Sequence, residues 1–322
     1  LNGIPATAIL VFMNIFLVIL MYALWSSVFS LGKLALDHSP PLFLTASRML
    51  LAAIILLAYL LLKRTSFKLS VKQFLALGLL GLFSIYLTNA LEFWSLQYLS
   101  AAKTCFIYSL SPFFAAFFSY IHFKEKMNQR KWLGMAIGFL GFIPILATQK
   151  GASELLTGIP LLSWPELAMV GASFCTAYGW ILLRLAVKDA NISPMMANGT
   201  SMLFGGLLAL GHSALVDSWT PLPVTAAHLT PFLHGILIIT LISNILCYNL
   251  YGFLLKRFTA TFISFIGLLS PIFASLNSWM FLGESPSPII FLSVAIVSLG
   301  LWLIYSAELR LGYIRSGEEA TA

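Results

Sequence analysis

The sequence predicts an all-α polytopic membrane protein, with ten transmembrane helices arranged as an inverted repeat of five plus five. Three observations predict it. Of 322 residues, 60% are hydrophobic and only 9% charged, against roughly 25% charged in ordinary soluble domains, so lipid must cover most of the surface. Ten apolar stretches are long enough to cross hydrocarbon, which takes about 20 residues at about 1.5 Å each. The chain also resembles itself: residues 101–141 lie over 260–300 at a fixed offset of 159, without a gap and with 15 of 41 positions identical. Matches include Ala101/Ala260, Phe106/Phe265, Ser111-Pro112/Ser270-Pro271, Ser119/Ser278, Glu125/Glu284 and Gly141/Gly300. Apolar bias can align Leu with Leu, but not Ser-Pro, Glu and Gly in one register.

The spans follow in order. The first covers 11–32; no small-residue cleavage pattern follows residues 8–36 and further spans do, so it reads as a membrane helix and not a leader. Ser39-Pro40-Pro41 separates it from the second, 41–62, and a basic loop leads to the third, 73–95. The fourth, 101–123, ends before Asn128-Gln129-Arg130, where the fifth, 131–148, begins. Ser163-Trp164-Pro165 opens the sixth, 166–187, and Ser193-Pro194 the seventh, 194–216. Pro221-Leu222-Pro223 precedes the eighth, 230–253. The ninth, 259–282, and tenth, 288–307, are parted by Ser285-Pro286-Ser287-Pro288. The domain reading is a first repeat at 1–148, a loop at 149–165, a second repeat at 166–307 and a tail at 308–322.

Positive charge orients the spans. Fourteen of the 18 basic residues fall in the loops after spans two, four, six and eight or in the tail; Lys33, Lys103 and Lys150 fall on the other side. Lys and Arg favour the cytoplasm, so both termini are expected inside the cell. The net charge of +7 then reflects orientation, and nucleic acid is not an expected partner. Five spans per half is odd, so the halves must be inverted. A weaker echo agrees: Trp25 and Lys33, like Trp180 and Lys188, are eight residues apart. Inverted repeats supply two related conformations around a site near the midplane.

These residues resemble the EamA-type, ten-helix drug/metabolite transporter family. The resemblance rests on Trp25 to Lys33, Pro41 followed by Arg48, Ala101 to Ser111-Pro112, Glu125, and Gly134, Gly138 and Gly141. The second half repeats Trp180 to Lys188, Ala260 to Ser270-Pro271, Glu284 and Gly300, while Met202 stands roughly where Arg48 would recur. The resemblance implies a secondary transporter of amino acids, metabolites or related small molecules, usually in a bacterial inner membrane. S-adenosylmethionine, carried by some relatives in obligate intracellular bacteria, is one implied candidate. A coupling proton or a counter-substrate is the implied second partner, beside the lipid bilayer.

Candidate site residues are polar or aromatic groups inside spans. Glu92 is the acidic residue well inside one, where a charge costs roughly 2.5 kcal/mol or more, so it should face a cavity or a partner. It reads as a substrate or proton contact, or as an outer-interface group paired with Lys103 or water. Asn89 and Tyr86, three and six residues earlier, fall on about the same helix face. Arg48, two turns into span two, suits a carboxylate or phosphate clamp, or a brace for helix ends. Ser111-Pro112 and Ser270-Pro271 should kink their helices and free carbonyls toward a cavity. Tyr108, one turn before Pro112, and Tyr248, beside Asn244 and Asn249, are the aromatic cavity candidates. Trp94, Tyr178 and Trp180 read as interface belts or packed faces. Aromatic faces with a carboxylate suit an amine, sulfonium or purine.

Glu125 and Glu284, at helix ends, read as structural charges. The Gly134, Gly138 and Gly141 stripe fits close packing within the bundle or at a homodimer contact. Cys105, Cys175 and Cys247 form no disulfide or zinc pattern, and the five histidines are scattered. No cofactor or metal is expected. The alternative classes, an integral-membrane enzyme or a scaffold acting on lipid-linked substrates, lack clustered catalytic groups or any need for an inverted repeat.

The charge asymmetry makes a topology prediction. In a background without native cysteine, Lys68→Cys and Asp217→Cys should label with impermeant thiol reagent from opposite sides. Labelling of both from one side would overturn the inverted arrangement.

Overall fold

The computed structural model describes residues 6–99, 101–141, 163–282 and 289–312. They form ten helices and, among the described residues, no strand. These are α1 (Ala6–Leu36), α2 (Pro41–Leu62), α3 (Val71–Tyr98), α4 (Ala101–Tyr108 and Ser111–Phe123) and α5 (Gln129–Leu140). After residues 142–162 come α6 (Trp164–Asp189), α7 (Pro194–Val216), α8 (Ala226–Leu254), α9 (Ala260–Ile266 and Ser270–Leu282) and α10 (Ile289–Arg310). Six of them, α1, α2, α3, α6, α7 and α8, are by length and composition apolar enough to cross a membrane. The chain is an all-α polytopic membrane protein. Glu284, the expected end of span five and most of the loop read at 149–165 lie outside the described residues.

Local chemistry sets the helix starts. The Ser70 hydroxyl accepts from the Gln73 N–H while the Gln73 side chain accepts from the Ser70 N–H, a capping box. Ser163 and Glu166 form another at the start of α6. Asn128, Ser193 and Thr259 cap α5, α7 and α9 through side-chain oxygens.

Corresponding helices of the two halves pack antiparallel, as inversion requires. Along α5 and α10, Lys131 meets Glu308, Gly134 meets Gly300, and Gly141 meets Val297. A Cβ on Gly134 would sit 2.6 Å from the Gly300 carbonyl oxygen, so the backbones touch there. The glycine stripe therefore packs inside the bundle. α2 and α7 likewise run opposite ways, with Gly199 against Leu56 and Gly206 against Leu50.

Three helices carry π segments: Gly81–Leu87 in α3, Thr240–Cys247 in α8 and Leu185–Asp189 at the end of α6. The offset of 159 carries 81–87 onto 240–246. A π turn misaligns carbonyls, which lipid cannot satisfy. Side chains satisfy them instead. Thr88 donates to the Phe83 carbonyl at 2.9 Å, and Asn89 Nδ2 to those of Ile85 at 2.7 Å and Ser84 at 3.4 Å. In α8, Asn249 Nδ2 donates to Ile245 at 2.8 Å and Asn244 at 3.5 Å.

The bundle has two ends. The basic end holds the loops after α2, α4, α6 and α8, and two buried ion pairs knit it. Past α4 the chain turns through a left-handed Lys124 (φ 54°), which folds Glu125 back into the bundle. There Glu125 pairs with Arg184 of α6 and accepts from the Thr261 hydroxyl of α9 at 3.2 Å. Beside it Lys131 of α5 pairs with Glu308 of α10, both fully buried, and Thr259 donates to Glu308 at 3.1 Å. Lys131 and Arg184, read from sequence as loop charges, are thus interior groups. Both apolar neighbourhoods and the opposing charge hold them. At the opposite end Lys33 donates to the Leu99 carbonyl at 3.0 Å, tying α1 to the turn between α3 and α4.

Removing one partner of a buried ion pair strands the other, at a cost of roughly 3–5 kcal/mol. Lys131→Met should lower the unfolding midpoint in detergent sharply. Lys131→Met with Glu308→Leu should recover much of the loss. A single variant as stable as the parent would mean the pair contributes nothing.

Candidate functional site

A small cavity of about 40 Å³ lies at the centre of the bundle. Its walls come from α1, α2, α3, α4, α6, α8 and α9, so both halves build it. α1 contributes Tyr22, Trp25, Ser26 and Phe29 at i, i+3, i+4 and i+7, one helix face. Trp25 is fixed by its Nε1–H, which donates to the Ser243 hydroxyl in the α8 π segment at 3.1 Å. It meets Tyr248 edge-on with ring centroids 5.1 Å apart, and Trp180 stacks on Tyr251 at 4.9 Å. An aromatic wall thus joins α1, α6 and α8.

Two charged residues line this cavity, Arg48 and Glu92. Arg48 is 2% exposed. Its Nη2 donates to Asn89 Oδ1, and its guanidinium lies 4.6 Å from the centroid of the Phe93 ring. Its Nε–H has no partner among the described residues, leaving a buried donor at the cavity wall. Asn89 therefore serves two masters, holding the π-segment carbonyls with Nδ2 and the guanidinium with Oδ1. The Glu92 carboxylate, one turn further along α3, forms no hydrogen bond or ion pair among the described residues; the side chain of Lys103, its suggested neighbour, lies outside them. The cavity thus presents an incompletely satisfied cation and an anion without an ion pair among the described residues, on an otherwise uncharged, aromatic wall. That charge pattern complements a small molecule carrying both charges.

A smaller compartment of about 10 Å³ adjoins the first. It lies between the breaks of α4 and α9, and Tyr22, Tyr108, Trp180 and Ser270 line both spaces. Pro112 and Pro271 occupy the first turns of new helical segments at these breaks, so each helix is interrupted and restarted where a bend was expected. Tyr108 donates to Thr176 at 3.3 Å, and Thr176 to Thr88 at 3.1 Å, a relay ending on the α3 π segment.

Of the residues singled out in the sequence, Arg48, Asn89, Glu92, Tyr108, Tyr248 and Ser270 line the main cavity, and Ser111 the smaller one. Tyr86 and Asn244 line neither. Tyr86 turns away to bond His212 on α7 at 2.9 Å, and the Asn244 amide is buried against Met49 at 2.9 Å. Trp180, read as a belt or packing residue, faces both compartments. Sequence reasoning passed over Tyr22, Ser26, Phe29, Thr88 and Ser243. The α1 stripe of four polar-edged and aromatic residues at helical spacing was the available signal.

Comparison with known proteins agrees with this architecture. Residues 12–147 and 163–306 match the model of the EamA-like transporter family. A Chlamydia muridarum protein named S-adenosylmethionine/S-adenosylhomocysteine transporter is 42% identical over 307 residues, 95% of this chain and 96% of its own length. The protein of the same name from Chlamydia trachomatis serovar L2 is 40% identical over 95% of this chain and 93% of its own. The inner membrane transporter YedA of Escherichia coli K12 is 25% identical over 88% of each chain. A solved crystal structure superposes with a TM-score of 0.71 over 92% of this chain and 99% of that one at 15% identity, which shows the fold alone.

Neighbouring positions on α8 and α9 should separate cavity from packing. In a background with Cys105, Cys175 and Cys247 replaced by serine, Ser270→Cys should react with small soluble thiol reagents. Asn244→Cys, buried against Met49, should not. Equal reactivity would mean the cavity walls are misassigned.

Proposed function

Because the chain belongs to the EamA-like transporter family, we propose that it carries S-adenosylmethionine and S-adenosylhomocysteine across a bacterial inner membrane by alternating access around the central cavity. The observation that carries this reading is the placement of a buried guanidinium with a free Nε–H and a carboxylate on one cavity wall among aromatic rings. S-adenosylmethionine presents a carboxylate, an ammonium, a sulfonium and an adenine. The free Arg48 Nε–H suits the carboxylate. Glu92 suits the ammonium, and the faces of Trp25 and Tyr248 suit a sulfonium. Trp180 suits the adenine ring. The two chlamydial relatives, at 40% and 42% identity over nearly the whole chain, support the same substrate class.

In this reading the basic end faces the cytoplasm with both termini, which the positive-charge asymmetry supports. The basic-end ion pairs then close the cytoplasmic route, and alternate access requires Glu125 and Arg184 to part. S-adenosylhomocysteine is the counter-substrate. It lacks the methyl group and the sulfonium charge, so exchange of the two moves one positive charge per cycle and should respond to membrane potential.

Purified protein in liposomes loaded with unlabelled S-adenosylmethionine should accumulate the radiolabelled compound by counterflow, and S-adenosylhomocysteine should compete. Failure of both would overturn the substrate reading. Glu92→Gln should keep the fold and lower affinity for S-adenosylmethionine about tenfold or more, an interaction of about 1.4 kcal/mol. Unchanged binding of both compounds would reduce Glu92 to a structural role.

A further inference from the structure

We propose that a groove between α3 and α7, at the end of the bundle opposite the basic loops, binds a phospholipid with an ammonium head group. This lipid site is separate from the cargo and independent of the transport reading.

The groove, of about 560 Å³, runs between the turn joining α1 to α2 and the adjoining ends of α3 and α7. It is much larger than the central cavity and lies across α3 from it. Ala90, Trp94 and Gln97 line the groove at i, i+4 and i+7, while Asn89 and Glu92 line the cavity from the other side of the helix. Exposed side chains border the groove on two helices. On α7, Leu208, His212 and Leu215 fall at i, i+4 and i+7, and all are exposed. On α3, Trp94 and Tyr98 are exposed, and their rings meet at 5.1 Å. Exposed apolar side chains on a membrane-spanning helix face acyl chains, and exposed Trp and Tyr near its end mark the head-group level. The groove therefore opens sideways into lipid near the surface of one leaflet. Its apolar lining, with Leu42, Leu91 and Val216, suits an acyl chain.

The polar groups of the groove choose the head group. Its lining includes one carboxylate, Asp217, and neither Lys nor Arg. Asp217 sits at the C-terminal cap of α7, where an anion adds to the negative end of the helix dipole and a cation is favoured. Its Oδ2 is buried and has no hydrogen-bond partner among the described residues. An ammonium satisfies the carboxylate and the helix end together. A head group of net negative charge would instead add a like charge, with no cation in the lining to offset it. Where His212 Nδ1 accepts from the Tyr86 hydroxyl at 2.9 Å, Nε2 carries the proton and can donate to the lipid phosphate. A small soluble cation would satisfy Asp217 but leave the apolar length of the groove uncovered. Tyr86 lies in the π segment that Asn89 braces, so His212 is one hydrogen bond from the element that positions Arg48.

The test varies the head group at constant acyl chain. Delipidated protein in detergent is titrated with dioleoyl phosphatidylethanolamine and with dioleoyl phosphatidylglycerol, and bound lipid is counted by native mass spectrometry. The wild type should retain phosphatidylethanolamine in preference to phosphatidylglycerol. Asp217→Asn should weaken phosphatidylethanolamine about tenfold, the loss of one charge-assisted contact, and leave phosphatidylglycerol within about twofold. Asp217→Glu, which keeps the charge, should keep the preference and so separates lost charge from a disturbed helix end. Val216→Trp, at an exposed position on the groove wall, should weaken both lipids by filling space the chain occupies. Equal retention of the two lipids by the wild type, or an unchanged preference in Asp217→Asn, overturns the site. Displacement of phosphatidylethanolamine by free ethanolamine at matching concentration also overturns it, in favour of a soluble-cation site. No substrate enters the measurement, so its failure leaves the transport reading untouched.

Discussion

The amide of Asn89 is the point on which the site depends. One side of it closes a gap in the backbone of α3, and the other holds the Arg48 guanidinium. Neither demand can be met by solvent in a membrane interior, where each unsatisfied polar group costs several kcal/mol. The π segment at Gly81–Leu87 frees carbonyls, Asn89 takes them up, and the same amide then fixes a cation at the cavity wall. Backbone irregularity, side-chain identity and site charge are one linked arrangement.

The inverted half contains the same device with different chemistry. Asn249 takes up the carbonyls freed in α8, and its Oδ1 accepts from Asn198 of α7 at 3.2 Å. A neutral amide replaces the guanidinium, and Asn198 Nδ2 also donates to the Tyr248 carbonyl at 2.9 Å. The pseudo-symmetric scaffold is therefore kept while its charge is placed in the first half alone. Duplication supplies two related backbones, and side-chain divergence puts the cavity's charge on α2 and α3 while aromatic rings reach it from both halves. Trp25 joins the halves: it belongs to the first and bonds Ser243 in the second.

Much of this was legible in the sequence, and the residues that were not share physical causes. Arg48, Asn89 and Glu92 declared themselves because polar groups in apolar spans need a reason to be there. The Ser-Pro pairs declared themselves through the repeat. Tyr86 did not follow Asn89 onto the cavity face. It lies inside the π segment, where each residue turns through less than the ~100° of an α-helix, so the spacing rule fails. Asn244, singled out for lying beside Tyr248, sits in the matching segment of α8, where its amide is buried against Met49. Lys131, Arg184 and Glu308 were hidden for another. Hydropathy ends a span at its first charges, yet here charges at the helix ends are buried in pairs. A count of basic residues reports which end of the bundle they occupy and is blind to whether they reach water.

The two charged layers also constrain how such a molecule moves. At the basic end each of these charges has an ion-pair partner, Glu125 with Arg184 and Lys131 with Glu308, and Thr261 and Thr259 bond the two carboxylates. Arg48 and Glu92 at the cavity have no ion pair among the described residues, and Arg48 keeps an Nε–H without a partner there. The centre therefore holds charges without an ion-pair partner among the described residues, and one end holds a layer of paired charges. A zwitterionic ligand relieves the first without touching the second. A ligand shifts a conformational equilibrium only through its differential affinity for the two states. Under alternating access, parting Glu125 from Arg184 has to be offset by contacts that only the loaded centre makes. Trp180 stands in both compartments, one helical turn before Arg184 on α6, so a ring that packs against cargo and a cation that locks the basic end share one rigid element. Movement of α6 would couple them directly, with no longer chain of contacts required.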